Sequence, residues 1–267
     1  MGRDLNGRRI LLTGASKGIG RALAEQLSQA GARLALMARS EDALQELCQQ
    51  LSKDGAECLP IVGDVTSDED RQRALSSIQE QWGGLDILIN NAGVASWGHF
   101  SGGTEEILRT VMEVNFFAPA ELIRSAIPML TQGQEPAIVN VASMCGRCAM
   151  PAWSEYSASK FALCGLTEAL RGEMARFDID VLLMVPGLTS SELQQNMLRN
   201  EGRLQIDFKK KGMPVEKVAA EIVKAIRKNR TETTIGSDAR WMLRMQKFFP
   251  RLLNRMLAKR VRKLYQS

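Results

Sequence analysis

The sequence has a single histidine, His99, among 267 residues, and it has no uncharged apolar run long enough to cross a membrane. One histidine argues against a histidine-rich metal site or a serine–histidine–aspartate triad, so no metal is expected. His99 itself lies in a polar, glycine-containing stretch that is typical of a loop or a pocket rim. The first nine residues lack the apolar core of an export signal. These absences predict a cytoplasmic protein.

Cysteine is also scarce, and the chain has five, Cys48, Cys58, Cys145, Cys148 and Cys164. In a long chain without an export signal, free thiols are expected rather than a disulfide framework. Cys145 and Cys148 have the C-x-x-C spacing of some redox sites. Without a second pair of ligands it is weak evidence for zinc, and we interpret the spacing as coincidental.

Acidic residues are missing from the C-terminal end. Nine of the 35 basic residues and none of the 30 acidic ones lie from Arg240 onward, which leaves 26 basic against 30 acidic residues in the rest of the chain. The net charge of +5 therefore belongs to the tail, and no nucleic-acid partner is expected.

The same tail, residues 240–264, has the periodicity of amphipathic helices. Apolar side chains from Trp241 to Val261 fall on one face, and basic ones from Arg240 to Lys259 fall on the other. Pro250 is expected to break or kink this segment. Its apolar face either lies on an anionic membrane surface or packs against the core or a partner subunit, and both alternatives stay open.

Upstream of the tail, short apolar runs alternate with longer segments of helical periodicity. The predicted strands are 9–13, 33–38, 57–62, 87–90, 137–142, 180–185 and a weak 233–235. The predicted helices are 18–30, 40–54, 67–81, 105–130, 152–177 and 214–228. Thr66-x-x-Glu69 resembles a capping box that would open one of them. This alternation predicts an α/β fold, with a doubly wound parallel sheet of about seven strands and helices on both faces.

The domain boundaries follow from the same pattern. We expect one domain over residues 1–235 and a basic helical extension over residues 236–267. Residues 190–212 are polar, charged and poorly periodic, and they lie outside the carboxyl edge of the sheet, where open α/β sheets bind ligands. A substrate lid is favoured there over a plain surface excursion.

A glycine-rich turn joins the first predicted strand to the first predicted helix, and it reads T-G-A-S-K-G-I-G over residues 13–20. Glycines let the backbone turn tightly and approach a pyrophosphate, which the unpaired N–H groups of a helix N-terminus then bind. The strand before the turn and the helix after it indicate a dinucleotide site. Its expected members are Gly14, Ser16, Lys17, Gly18, Ile19 and Gly20.

The second strand favours NADP(H) over NAD(H). An NAD site places a carboxylate at this strand end to accept from the ribose 2′-OH, whereas here the strand ends in Ala38-Arg39-Ser40. The guanidinium of Arg39 and the ammonium of Lys17 would attract a 2′-phosphate. The alternative is that both residues only belong to solvated loops.

Two further strand ends carry small or polar residues. Asp64-Val65 follows the third strand, where Asp64 either accepts from an adenine amino group or serves as a turn residue. Asn91, Ala92 and Gly93 follow the fourth strand, and small residues there suit a close approach to the nicotinamide ribose.

Tyr156 and Lys160 are four residues apart and therefore share a helix face. A neighbouring ammonium is expected to lower the pKa of the phenol, which makes Tyr156 a candidate acid/base. Ser143 ends the fifth strand and could polarise a substrate oxygen. Asn115 lies midway along an apolar helix, where its amide either holds a water in a proton relay or is a satisfied core amide.

The sequence closely resembles the classical short-chain dehydrogenase/reductase (SDR) family, because seven motifs occur in the order of that family. They are T-G-x-x-x-G-x-G at 13–20, D-V at 64–65, N-N-A-G at 90–93, Asn115, Ser143, Y-x-x-x-K at 156–160 and P-G at 186–187. The resemblance runs from about Arg8 to Lys228. It implies a Rossmann fold, Tyr156 as the acid/base, Lys160 for pKa lowering and ribose binding, Ser143 for substrate orientation and Asn115 for the relay water. It places Asp64 near adenine, Asn91 to Gly93 near the ribose, and Pro186, Gly187, Leu188 and Thr189 near the nicotinamide amide. The family's hydroxyl after P-G corresponds to Ser191, although Thr189 and Ser190 also fit.

The function implied is hydride transfer between NADP(H) and an alcohol or carbonyl, because family members with a basic residue at the place of Lys17 tend to use NADPH. The family also implies a homodimer or homotetramer. A membrane-skimming tail would suit a hydrophobic or lipid-like substrate. The alternatives are an NADP(H)-binding sensor or scaffold without turnover and, less favoured, a sugar-nucleotide epimerase.

Overall fold

In the computed structural model of the protein, residues 2–190, 197–200 and 212–265 are described. The main sheet has seven strands, β1 (Arg9–Thr13), β2 (Arg33–Ala38), β3 (Cys58–Val62), β4 (Ile87–Asn90), β6 (Ala137–Val141), β7 (Asp180–Pro186) and β11 (Glu232–Ile235). All of them run parallel, in the order β3-β2-β1-β4-β6-β7-β11. The predicted doubly wound parallel sheet is confirmed, and each strand boundary agrees with the prediction to within one residue.

The helices cover both faces of this sheet. They are α1 (Gly18–Gln29), α2 (Glu41–Lys53), α3 (Asp68–Trp82), α4 (Glu105–Met112), α5 (Ala118–Leu130), α6 (Ser154–Met174), α7 (Val215–Arg227), α8 (Ser237–Phe248) and α9 (Pro250–Tyr265). Because successive strand residues point to opposite faces, Ile10 and Leu12 pack with α1, α2 and α7, whereas Leu11 packs with α3, α5 and α6. Strands buried on both faces explain the continuous apolar runs in the sequence.

The predicted helix 105–130 is not continuous. A π-helical turn, Glu113–Phe117, separates α4 from α5 and contains the buried Asn115. Hydropathy did not reveal this, because a single π turn adds one residue to one turn, and so small a shift in phase is lost in a mostly apolar segment. Such turns occur frequently at functional sites.

Two local predictions are wrong. Ser67 rather than Thr66 caps α3, with its hydroxyl accepting from the Asp70 N–H at 3.2 Å, while Thr66 donates its hydroxyl to Asp64 Oδ1 at 2.8 Å. The expectation of five free thiols also fails, because Cys48 and Cys58 form a disulfide. Cys48 lies on the inner side of α2 and faces the start of β3, which brings the two Cα atoms to 5.6 Å, within the range that a disulfide spans.

Two short parallel strand pairs lie outside the main sheet. β5 (Ser96–Trp97) pairs with β9 (Arg199–Asn200), and β8 (Thr189–Ser190) pairs with β10 (Met213–Pro214). The predicted lid at 190–212 lies mostly outside the described residues, as does Ser191, so the lid stays a prediction. The tail forms α8 and α9, which meet at Phe249 and Pro250, where the proline was expected to break it. No helix in the described part of the chain is both long and apolar enough to span a bilayer.

Candidate active site

A cleft of about 330 Å³ opens at the carboxyl edge of the sheet, across the ends of β1, β2, β3, β4 and β6. The predicted dinucleotide-binding residues line it, apart from the four that follow β7. They are Gly14, Ser16, Lys17, Gly18, Ile19, Gly20, Arg39, Asp64, Val65, Asn91, Ala92, Gly93, Tyr156 and Lys160. The glycine turn and the Tyr–Lys pair, far apart in sequence, therefore face one cavity.

The glycine turn is built so that no side chain can enter it. Gly14 has φ +65°, and a Cβ there would lie 2.8 Å from Ala92 Cα. A Cβ on Gly20 would lie 2.0 Å from the Gly14 carbonyl oxygen. Asn91 Nδ2 donates to the carbonyls of Thr13 and Gly14 at 3.0 and 3.2 Å and ties the turn to the end of β4. No side chain caps α1, so its first N–H groups face the cleft, as a pyrophosphate requires.

The rim of the cleft holds charges of both signs. Arg39 extends from the end of β2, and its side chain is 74% exposed. Its Nη1 lies 3.8 Å from Asp64 Oδ2, while Asp64 Oδ1 accepts from the Thr66 N–H at 2.9 Å. An exposed ion pair of this length is weak, which leaves the guanidinium able to bind another anion. Asp64 serves here as the turn residue that was one of its two expected roles.

Tyr156 and Lys160 are both buried on the first two turns of α6. Lys160 Nζ lies 5.8 Å from the centre of the Tyr156 ring and donates to the Val141 carbonyl at 3.1 Å. Ser143 follows β6, and its hydroxyl lies close enough to the Tyr156 phenol to affect the pKa of that phenol, although Ser143 does not line the main cleft. The side chains of Ser143, Tyr156 and Lys160 therefore lie close together.

Burial governs the pKa values of this pair. Removing the phenol from water raises the pKa of Tyr156, the nearby Cys145 adds to the rise, and the Ser143 hydroxyl opposes it without cancelling it. Burial lowers the pKa of Lys160 to about 8. The expectation that Lys160 lowers the pKa of Tyr156 is wrong in this structure, because the loss of water around the buried phenol dominates its pKa. The Tyr156 phenol therefore carries its proton at neutral pH.

Asn115 is fully buried, and protein groups satisfy its amide. Its Oδ1 accepts from the Val94 N–H at 2.9 Å, and its Nδ2 donates to the Val94 carbonyl and to Ser159 Oγ, both at 2.9 Å. These bonds correspond to the core-amide alternative. They also fix the loop after β4 against α6, next to Gly93, where a Cβ would lie 3.5 Å from Lys160 Nζ.

An apolar wall packs against the ring of Tyr156. Trp153 stacks on Trp97 with centroids 6.0 Å apart and meets the Tyr156 ring edge-on at 5.6 Å. The same cluster includes Ala95, Cys145, Met144, Met150 and Met197. Aromatic and methionine side chains form adaptable apolar surfaces.

The P-G segment does not line the main cleft, contrary to expectation. Pro186 ends β7, two strands beyond β4, and Gly187, Leu188 and Thr189 come directly after it. Sequence reading also missed Asp238, in the first turn of α8, whose Oδ2 accepts from the Leu188 N–H at 2.6 Å. Its carboxylate fills the space beside Gly187 and Gly236, 2.6 and 2.4 Å from where a Cβ on each would lie. Gly187 and Asp238 are far apart in the sequence, so no local pattern identified this contact.

Other cleft residues were also missed, namely Met37, Ala38, Ser40, Gly63, Val94, Val114, Val141 and Ala142. Most of them end strands of the sheet, so strand order rather than a motif identifies them. Cys145, Cys148 and Cys164 are free and buried, and His99 lies in a loop as expected. Within the described ranges, no group of three His, Cys, Asp or Glu side chains is placed to hold a metal ion.

Fold and cleft together define a nucleotide-binding oxidoreductase, and comparison with known proteins agrees. A family model described as short chain dehydrogenase matches residues 8–202. The "Uncharacterized oxidoreductase YxnA" of Bacillus subtilis is 30% identical over 260 residues, which cover 96% of this chain and 73% of that protein.

Two solved structures share the fold. A short-chain dehydrogenase/reductase from Burkholderia phymatum in complex with NAD superposes with a TM-score of 0.85 at 25% identity, covering 94% of this chain and 96% of that one. A short chain dehydrogenase from Burkholderia cenocepacia in complex with NADP gives 0.80 at 26% identity, covering 96% and 99%. The chain belongs to the short-chain dehydrogenase/reductase family. That family uses NAD or NADP, acts on small-molecule substrates and commonly forms oligomers.

Proposed function

We propose that the protein is an NADP(H)-dependent carbonyl reductase acting on a hydrophobic, lipid-like substrate. The observation that carries this proposal is the placement of Tyr156 and Lys160 in one cleft with the glycine turn, beside the apolar wall of Trp97 and Trp153. A nicotinamide held in this cleft would supply the hydride to the carbonyl carbon, or accept it from an alcohol.

The protein's own groups would supply the proton. Tyr156, neutral because burial raises its pKa, would donate its hydroxyl proton to the carbonyl oxygen as that oxygen gains charge. Ser143 would hold the same oxygen by a hydrogen bond. Lys160 would hydrogen-bond the nicotinamide ribose, and Asn115 would hold the loop after β4 in place. A neutral phenol favours the reductive direction.

The proposed preference for NADP(H) depends on the rim of the cleft. Arg39 and Lys17 line it, and a guanidinium suits a phosphate better than a ribose hydroxyl. The position of Pro186 to Thr189 supports their predicted contacts with the nicotinamide. They lie at the carboxyl end of β7, at the same edge of the sheet as the cleft. These residues would reach the cofactor from beyond the wall of the main cleft.

The apolar wall supports the proposal of an apolar substrate. The wall packs on Tyr156, and apart from Tyr156 its members do not line the dinucleotide cleft, so the carbon chain or ring next to the carbonyl would pack on tryptophan and methionine side chains. A charged substrate would lose hydration there without gaining partners.

Turnover of carbonyl compounds tests the proposal against the alternative of a sensor or scaffold. NADPH oxidation is followed with a panel of aldehydes, ketones, steroids and acyl derivatives, in the wild type and in Tyr156→Phe. We expect turnover of apolar carbonyls that falls at least about 100-fold in the variant, since general acid catalysis contributes about 10²–10⁴-fold. Cofactor binding without turnover by the wild type would support the sensor instead.

Assembly and location complete the proposal. A homodimer or homotetramer fits the exposed Phe117 and Phe161, which lie on or beside the long helices α5 and α6. We also propose a cytoplasmic enzyme that contacts a membrane peripherally through residues 240–264. A nucleic-acid partner forms no part of the proposed function.

A further inference from the structure

Helices α8 and α9 carry an exposed apolar surface, which we call the C-terminal stripe. It consists of Trp241, Phe248, Phe249, Leu252 and Met256. Trp241 and Phe248 are seven residues apart on α8, and Leu252 and Met256 are four apart on α9, so each pair shares a helix face, while Phe249 lies at the junction between the two helices. Phe248 is 64% exposed, and the other four are between 46% and 58% exposed.

The stripe is not the face by which these helices pack on the domain. Leu253 is 1% exposed, and Leu243 packs against the cluster formed by Ala142, Leu163 and Val185. The helices have therefore already buried one apolar face. The exposed aromatic side chains of the stripe are additional to this buried face, so packing on the core does not explain them.

From Arg240 onward, the charged side chains on these helices are all basic. Arg240, Arg244, Lys247, Arg251, Arg255 and Lys259 are exposed on the same helices, and no acidic residue occurs from Arg240 to the end of the chain. Lys247 Nζ lies 5.6 Å from the centre of the Phe248 ring. Cations thus border the apolar side chains directly, although the rest of the chain is net acidic.

We infer that the C-terminal stripe and its basic border dock the protein on an anionic lipid bilayer. Aromatic and leucine side chains enter the interface between headgroups and acyl chains, while lysine and arginine bind anionic headgroups. A contact between two copies fits less well, because a two-fold interface would bring two basic borders of the same sign together. The stripe and the anionic lipid specify how the protein would make the peripheral membrane contact proposed above, and the docking rests on that part of the proposed function.

The docked orientation would bring the substrate side of the enzyme to the membrane. Leu243 of α8 packs beside Met144, which also belongs to the apolar wall next to Tyr156. Gln246 Oε1 lies 3.8 Å from Cys148 Sγ in the same loop. A carbonyl dissolved in the bilayer would therefore meet the enzyme on the side where its apolar wall lies.

Vesicle co-sedimentation of the full chain tests the inference. The wild type should bind phosphatidylcholine vesicles that contain about 30 mol % phosphatidylserine at least about tenfold more tightly than vesicles of phosphatidylcholine alone. That preference should shrink as salt is raised, because salt screens the basic border. The double variant Phe248→Glu/Phe249→Glu should lose at least about tenfold in binding.

Phe100→Glu is the matched control, since Phe100 is 63% exposed but lies outside the stripe, and it should bind as the wild type does. Equal binding to both vesicle types, no binding at all, or equal losses in the two variants would overturn the inference. So would a double variant that changes the oligomeric mass in light scattering and leaves vesicle binding intact, since the stripe would then be a subunit contact.

Turnover of a small soluble aldehyde, measured without vesicles, separates this inference from the proposed catalysis. The double variant should retain that activity. A wild type that binds vesicles but reduces no carbonyl would refute the catalytic proposal and leave the docking surface standing.

Discussion

Removing the guanidinium at the end of β2 should shift the cofactor preference of the enzyme. In Arg39→Ala, the ratio of kcat/KM for NADPH to kcat/KM for NADH is expected to fall, because the 2′-phosphate loses its positively charged partner. The ribose hydroxyl of NADH has no such partner to lose.

The size of this effect follows from the exposure of the side chain. A hydrogen bond to a charged group contributes about 1.5–3 kcal/mol, and the Arg39 side chain is 74% exposed, so solvent screening favours the low end of that range. The 2′-phosphate carries up to about two negative charges, which supports a value of about 1.4–2 kcal/mol. That energy corresponds to a change of about 10- to 30-fold in the ratio.

Arg33→Ala is the matched control for this change. Arg33 begins the same strand, its side chain is 45% exposed, and it pairs with Glu57 at 3.0 Å, away from the cleft. Initial rates with each cofactor, measured for the two variants and the wild type, give the ratios. If Arg39→Ala kept the wild-type ratio to within about twofold, or lost activity equally with both cofactors, Arg39 would not recognise the phosphate.

Two further predictions concern buried charges. Lys160 has a pKa near 8, lowered by burial; if its ammonium assists catalysis, kcat/KM should fall about tenfold per pH unit above that value, as the charge is lost with rising pH. Arg9→Ala should cost about 2–3 kcal/mol in the free energy of unfolding, measured with urea. The reason is that the buried Asp86 would lose side-chain donors at 2.9 and 2.7 Å and keep backbone N–H donors from residue 9 and from Gln134.

Each of these predictions has a contradicting outcome. A pH profile that stays flat to pH 10 would show that no group with a pKa near 8 controls the reaction. For the stability test, Arg33 is the register partner of Arg9 on the neighbouring strand, and its pair with Glu57 is half exposed. Arg33→Ala should therefore cost less than about 1 kcal/mol, and equal losses in the two variants would refute the argument from burial.

The sheet was predictable because parallel strands buried on both faces leave an unmistakable run of apolar residues. β1 shows this directly: Ile10 and Leu12 pack on one side and Leu11 on the other, so all three must be apolar. The glycine turn was predictable for a related reason, since the lack of space around Gly14 and Gly20 excludes any other residue. Both signals are local in the sequence.

What the sequence could not reveal depends on contacts between distant residues. The Cys48–Cys58 disulfide requires α2 to lie against β3. The pKa of Tyr156 depends on how deeply α6 is buried, which no spacing of tyrosine and lysine encodes. The π turn at Asn115 changes the hydrogen-bond register of one turn and shifts the residue periodicity of 105–130 too little to be recognised. The roles assigned to the individual site residues stay predictions.

The contact between Asp238 and the Leu188 N–H has a consequence for engineering. The carboxylate comes from the first turn of α8, yet it holds the loop that follows β7. Most of the two terminal helices could thus be exchanged as a cassette for those of a relative, provided the graft begins beyond this aspartate. A junction placed at Gly236 would instead release the loop on the catalytic side along with the helices.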